Sequence, residues 1–136
     1  MKKLSIQSAI GNSEIIIGES FTNILNYIPS GKKTAIITDV NVRKIYGGQF
    51  PKGIELIEIG TGETIKNLDT VKYIIGRLIE MEFDRSSHIL GIGGGIVCDI
   101  TGFVASVFMR GVHFSFISTT LLSQVDASVG GKNGVN

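Results

Sequence analysis

Paired cysteines, metal-ligand spacings, long apolar runs and a charge of one sign are all missing from this 136-residue sequence. Each absence excludes a class of function. The single cysteine, Cys98, has no partner for an intramolecular disulfide, which suits a reducing compartment. Lys and Arg number 13 against 12 Asp and Glu, and the net charge of +1 gives no electrostatic reason to expect DNA, RNA or an anionic membrane as partner. The most apolar stretch, Ile100 to Met109, is too short to span a bilayer. The opening Met1-Lys2-Lys3-Leu4 is basic but has no apolar core behind it, so no signal peptide is read and the expected location is cytoplasmic. No H-x-x-x-H or C-x-x-C occurs, and His88 and His113 lack partners at ligand spacing, so no metal site is assigned to this chain.

What remains is the size of one domain, with 43% apolar residues to build a core. Glycine is the outlier, at 18 residues against a usual share of about 7%. Two short strands, Leu4 to Ile10 and Glu14 to Gly18, read as a hairpin joined at Gly11-Asn12. From Ser20 helix and strand alternate. Phe21 to Ile28 has helical spacing and is stopped by Pro29-Ser30-Gly31. Thr34 to Thr38 is a β-rich run, and Val42 to Tyr46 a helical turn or two. Ile54 to Ile59 alternates as a strand exposed on one face. Thr64 to Met81 is the clearest helix, with Ile65, Leu68, Val71, Ile75, Leu78 and Ile79 on its apolar side. His88 to Ile92 reads as a buried strand, Ile96 to Met109 as a helix covered on several sides, and Phe114 to Ser118 as a strand. A further helix begins at Thr119.

This alternation implies an α/β fold, a parallel sheet with helices on both faces and right-handed crossovers, preceded by an amino-terminal β-hairpin. Open sheets of this kind bind ligands at the carboxyl ends of their strands. Three segments directly follow strands there: Thr38-Asp39, Gly93-Gly94-Gly95 and Ser118-Thr119-Thr120.

A glycine run between strand and helix lets backbone N–H groups point at a phosphate, aided by the helix dipole. The run is neither the G-x-G-x-x-G fingerprint, which would need glycine at Ile96 or Cys98, nor a P-loop. Its competing reading is a tight turn packed on the sheet. Asp39 and Asn41 can accept from ribose or adenine groups, or simply cap a helix. Glu63 and Lys66 face the same way and can form a solvated ion pair. Thr119 and Thr120 can cap a helix or bond a ligand. Asp99, read at the first turn of an apolar helix, favours the dipole or faces a cofactor. Cys98, among Ile96, Val97 and Ile100, reads as a buried structural thiol. In Asp126 to Lys132, a lysine behind two glycines can swing to a phosphate or carboxylate, or belong to a disordered tail.

Taken in order, Gly93-Gly94-Gly95-x-x-x-Asp99-x-x-Gly102-Phe103, Phe108-Met109-Arg110-Gly111, Thr119-Thr120-Leu121-Leu122, Gln124-Val125-Asp126 and Ser128-Val129-Gly130-Gly131-Lys132 resemble the central signature of the 3-dehydroquinate synthases. Thr38-Asp39-x-Asn41 and Gly62-Glu63-x-x-Lys66 also fall where that family has them. Ser118, Cys98 and Asn133 stand where the family usually has proline, glycine and threonine. The resemblance implies a Rossmann-like NAD-binding domain over residues 1–136, with a helical, metal-binding carboxyl-terminal domain absent from this chain. It implies that Asp39, Asn41, Glu63 and Lys66 hold the adenosine half of NAD and that Gly94, Gly95 and Ile96 take the pyrophosphate. Asp99, Thr119, Thr120 and Leu122 would line the nicotinamide side. Asp126 and Lys132 would contact substrate, and Arg110 the substrate phosphate from the neighbouring subunit of a homodimer.

The implied reaction is that of a lyase in aromatic biosynthesis, converting 3-deoxy-D-arabino-heptulosonate 7-phosphate to 3-dehydroquinate and phosphate. NAD and a divalent zinc or cobalt serve several steps in one site. A fragment of this kind is expected to be inactive alone. The alternatives are a related sugar-phosphate cyclase and a stand-alone NAD-binding module.

Overall fold

Alternating β-rich and amphipathic stretches resolve into two sheets in a computed structural model that describes residues 1–9, 11–129 and 131–136. Strands β1 (Lys2–Ser8) and β2 (Gly11–Ile17) form an antiparallel hairpin. A 3₁₀ segment (Phe21–Tyr27) leads to β3 (Thr34–Asp39), α1 (Val40–Tyr46), β4 (Glu55–Ile59) and α2 (Leu68–Glu80). Then follow β5 (His88–Gly93), α3 (Gly95–Val107), β6 (His113–Ser118) and a π-helical turn (Ser123–Ala127). The four later strands are parallel, in the order β4-β3-β5-β6.

The period of two along each strand divides the core. Ala35, Ile37, Ile57, Ile59 and Ile89 face α2 and α3, meeting Val71, Ile74, Leu78, Val97, Ile100 and Val104. Ile36, Leu90 and Ile92 face the other way, onto Ile24 of the 3₁₀ segment and Val42 of α1. Helical elements therefore cover both faces, as the alternation predicts. The central strands β3 and β5 carry the nearly continuous buried run expected of a doubly covered parallel sheet. From β3 the chain crosses through α1 to β4 on one side, then through α2 to β5 on the other. The strand order thus reverses between β3 and β5, and a crevice forms at such a switch point.

Several local expectations change. Gly11 and Asn12 belong to β2, because Ser8 pairs with Gly11; Ile10, expected at the end of the first strand, lies outside the described residues. The Phe21 segment is 3₁₀ rather than α. The helix expected over Thr64 to Met81 is interrupted. Glu63–Ile65 is a 3₁₀ turn, and α2 starts only after Asn67, whose side chain accepts from Thr70 N–H at 3.0 Å as an N-cap. Its buried stripe is Val71, Ile74 and Leu78, while Leu68 and Ile79 are exposed. Helix α3 stops at Val107, because Met109 and Arg110 adopt left-handed φ values of 49° and 66° ahead of Gly111 at 109°.

Candidate functional site

Four loops meet at the carboxyl ends of β3, β4, β5 and β6. They carry Asp39, Glu63 with Lys66, Gly93 to Ile96, and Thr119 with Thr120. At the centre is the glycine run. None of Gly93, Gly94 and Gly95 has a positive φ, so the run is selected for a missing Cβ rather than for backbone freedom. A Cβ on Gly91 would lie 2.7 Å from Thr101 Oγ1, and one on Gly93 2.5 Å from Val97 Cγ2. Both positions face α3, so these two glycines allow the helix to sit close on β5. The tight-turn reading therefore explains Gly93. Gly95 is different: a Cβ there would meet Ala127 Cβ at an ordinary 3.6 Å.

The first intrahelical bond of α3 runs from Cys98 N–H to the Gly94 carbonyl at 3.0 Å, and Gly94 provides no side-chain cap. The N–H groups of Gly94, Gly95, Ile96 and Val97 are thus left without helical acceptors. Gly94, Gly95 and Ile96 are partly exposed. Donors without a partner among the described residues, together with the positive end of the dipole, favour an anion at this turn. The end of β6 is tied to this turn, since Thr119 N–H donates to the Gly93 carbonyl at 2.9 Å.

Asp39 acts as a cap here: Oδ1 accepts from Asn41 and Val42 N–H, each at 2.9 Å. Thr120 and Ser123 cap one another; Thr120 Oγ1 accepts from Ser123 N–H at 3.3 Å, and Ser123 Oγ donates to the Thr120 carbonyl at 2.9 Å. Leu122 is exposed beside them, with Leu121 and Val125. Asp126 is exposed in the π-helical turn, next in sequence to the Ala127 that approaches Gly95. Lys132 is also exposed; Gly130, in the same motif, lies outside the described residues.

Asp99 is the fifth residue of α3, beyond the first turn, and its partner is a side chain rather than the dipole. Lys66 Nζ lies 2.7 Å from Asp99 Oδ2, with the two side chains 19% and 17% exposed. This replaces the expected solvated Glu63–Lys66 pair. The hydrogen bond to Asp99 raises the Lys66 pKa above the usual lysine value, while burial works against it. Glu63 Oε1 accepts instead from Asn136 Nδ2 at 2.8 Å, and Asn136 N–H donates to the Lys66 carbonyl at 2.9 Å. The carboxyl-terminal residues fold back over α3, with Val135 on the core and the Asn133 carboxamide filling the space a Cβ at Gly102 would need. No spacing rule links these residues, and sequence reasoning missed both contacts.

Cys98 is fully buried, its thiol pushed up to about 11, chiefly by burial. That agrees with an inert structural role. Arg110 is not brought to the crevice. It follows the far end of α3, and 13 helical residues separate the two ends by about 20 Å. One open hollow of about 330 Å³ lies between the end of β4 and the start of α2, another of about 410 Å³ lies along α2, and neither includes the glycine turn. Among the described residues, no three His, Cys, Asp or Glu side chains gather as a metal centre requires, and no helix is long and apolar enough to cross a membrane.

Residues 56–136 match the family model described as 3-dehydroquinate synthase N-terminal. The chain is 41% identical over 142 aligned positions to a 3-dehydroquinate synthase from Alkaliphilus metalliredigens, covering 100% of this chain and 40% of that protein. It thus spans well under half the length of such relatives. A 2-deoxy-scyllo-inosose synthase solved with carbaglucose-6-phosphate, NAD+ and Co2+ superposes with a TM-score of 0.83 at 23% identity, over 99% of this chain and 40% of that one. This second likeness speaks to fold. A 2-epi-5-epi-valiolone synthase from Streptomyces hygroscopicus subsp. jinggangensis, solved with NAD+ and Zn2+, matches 79% of this chain and 34% of its own, with TM-score 0.69 and 29% identity.

Proposed function

We propose, from the premise that the chain belongs to the 3-dehydroquinate synthase family, that it is the nucleotide-binding part of an enzyme converting 3-deoxy-D-arabino-heptulosonate 7-phosphate to 3-dehydroquinate and phosphate. It is a part that does not turn over substrate by itself. The observation that carries this reading is the uncapped start of α3 at the switch point between β3 and β5, where backbone N–H groups have no partner among the described residues. Gly94, Gly95 and Ile96 donate to the pyrophosphate of NAD. Asp39 spends Oδ1 on capping α1, and its second oxygen accepts from an adenosine hydroxyl, with Asn41 and Glu63 alongside. Asp99, Thr119, Thr120 and Leu122 border the nicotinamide side. Asp126 and Lys132 hold the substrate, and Arg110 serves the phosphate in a second copy's site.

What a bound dinucleotide supplies is reversible hydride acceptance; this chain supplies binding and orientation. The metal of the complete enzyme is held by residues outside this chain. The relatives' name at 41% identity favours this reading over a related sugar-phosphate cyclase, whose support is likeness of fold at lower identity.

Calorimetric titration with NAD tests the dinucleotide half. Asp39→Asn keeps a capping oxygen while removing the charge, so its fold is retained and its NAD affinity falls; equal affinity of Asp39→Asn and wild type would remove the adenosine assignment. Phosphate release from the heptulosonate substrate tests the other half: turnover by the 136-residue chain alone contradicts an inactive part.

A further inference from the structure

Lys66 and Asp99 were expected to serve opposite ends of an extended dinucleotide, yet their charged groups are 2.7 Å apart. We propose that Lys66 is a positioning residue for the nicotinamide side: it holds the Asp99 carboxylate in the one orientation from which it accepts from the cofactor's ribose. The inference deepens the NAD-binding reading above and rests on it.

The local backbone explains how a lysine before α2 reaches the middle of α3. Lys66 is the central residue of an inverse γ-turn, with φ −80° and ψ 64°, closed by Asn67 N–H donating to the Ile65 carbonyl at 2.9 Å. Its own carbonyl is fixed from the other side by Asn136 N–H. Both flanks of the turn are thus hydrogen-bonded, and the side chain that leaves it is held in place at its far end by Asp99. Among the described residues, the Asp99 carboxylate meets no donor besides Lys66. An aspartate left alone on an apolar helix face would turn toward water. One paired at 2.7 Å with a mostly covered lysine keeps one orientation, and the pair is close to neutral toward a cofactor whose own charge changes in hydride transfer.

The test is NAD titration of the chain followed by amide NMR, which reads weak binding, on wild type, Lys66→Met, Lys66→Arg, Asp99→Asn and the Lys66→Met/Asp99→Asn double variant. Carboxyl-carbon NMR of Asp99 without cofactor runs alongside. Expected are a loss of roughly tenfold in affinity for each of Lys66→Met and Asp99→Asn, a double variant no weaker than either, and recovery in Lys66→Arg. The Asp99 carboxyl resonance should move in Lys66→Met and return in Lys66→Arg. Losses that multiply in the double variant would mean that Lys66 meets the cofactor independently, and would overturn the proposal. Wild-type affinity in Lys66→Met, or an unmoved Asp99 resonance, overturns it while the NAD reading stands. Absence of NAD binding by wild type removes that reading and this proposal together.

Discussion

Replacing Gly93 by alanine separates what the glycine run does for folding from what it does for a ligand. The new Cβ would lie 2.5, 2.6 and 3.0 Å from three atoms of Val97, where carbon pairs prefer about 3.5–4.0 Å. Val97 is itself buried in the core between β5 and α3, so the strain has to be met by moving the helix off the sheet. Overpacking of this kind costs about 1–3 kcal/mol. The reduced freedom of the unfolded chain returns about 0.4–1 kcal/mol. The net loss is about 1–2 kcal/mol. With an unfolding entropy of about 2.1 cal/mol/K per residue, this lowers Tm by about 3–7 °C. Gly95→Ala is the control: its Cβ makes an ordinary 3.6 Å contact and its φ is not positive, so stability stays level or rises slightly. Urea and thermal unfolding of both variants, with Val97→Ala added to Gly93→Ala, give the comparison. Val97→Ala should cost less in the alanine background than in wild type, because it removes the clashing methyls. Wild-type stability in Gly93→Ala would refute the close-packing account of the glycine.

Two further outcomes follow from buried groups, one at the far end of β5 and one beneath the glycine turn. Burial, then His113 and Lys32, lowers the His88 pKa from 6.5 to about 4, and its Nε2 lies 3.0 Å from Ser115 Oγ. Between those values the unfolded chain binds the proton and the folded one does not, so stability is held above pH 6.5 and lost as pH falls toward 4. The loss is on the order of 1–2 kcal/mol at pH 5. Urea midpoints at pH 7 and 5 should differ less in His88→Gln than in wild type, and equal differences would contradict this. Cys98 should resist iodoacetamide at pH 8 in the folded chain and react once urea unfolds it; rapid labelling without denaturant would show that the thiol is not sealed.

Much of the mouth was legible because strand ends are readable. The β-rich run ending at Thr38, the buried run ending at Gly93 and the strand ending at Ser118 each place the following residues at one edge of a parallel sheet. Asp39 and Thr120 both make the local caps that one of their readings foresaw, because a capping oxygen needs only the next turn of its own chain. The break before α2 was not legible. Thr64 to Met81 has helical periodicity throughout, and only the fold-back of Asn136 onto Glu63 and Lys66 shows how the 3₁₀ turn is held apart from the helix.

The order of apolar and polar residues alone determined a parallel sheet with helices on both faces and a glycine turn at its mouth, since periodicity and turn chemistry act over a few neighbouring residues; the resemblance to a known family rested on the motifs themselves. Tertiary structure alone decided that Lys66 answers to Asp99 and that Gly93 is there for Val97. The reason is geometric. Which side chains meet across a crossover depends on how closely a helix settles onto its strand, and that distance is set by packing.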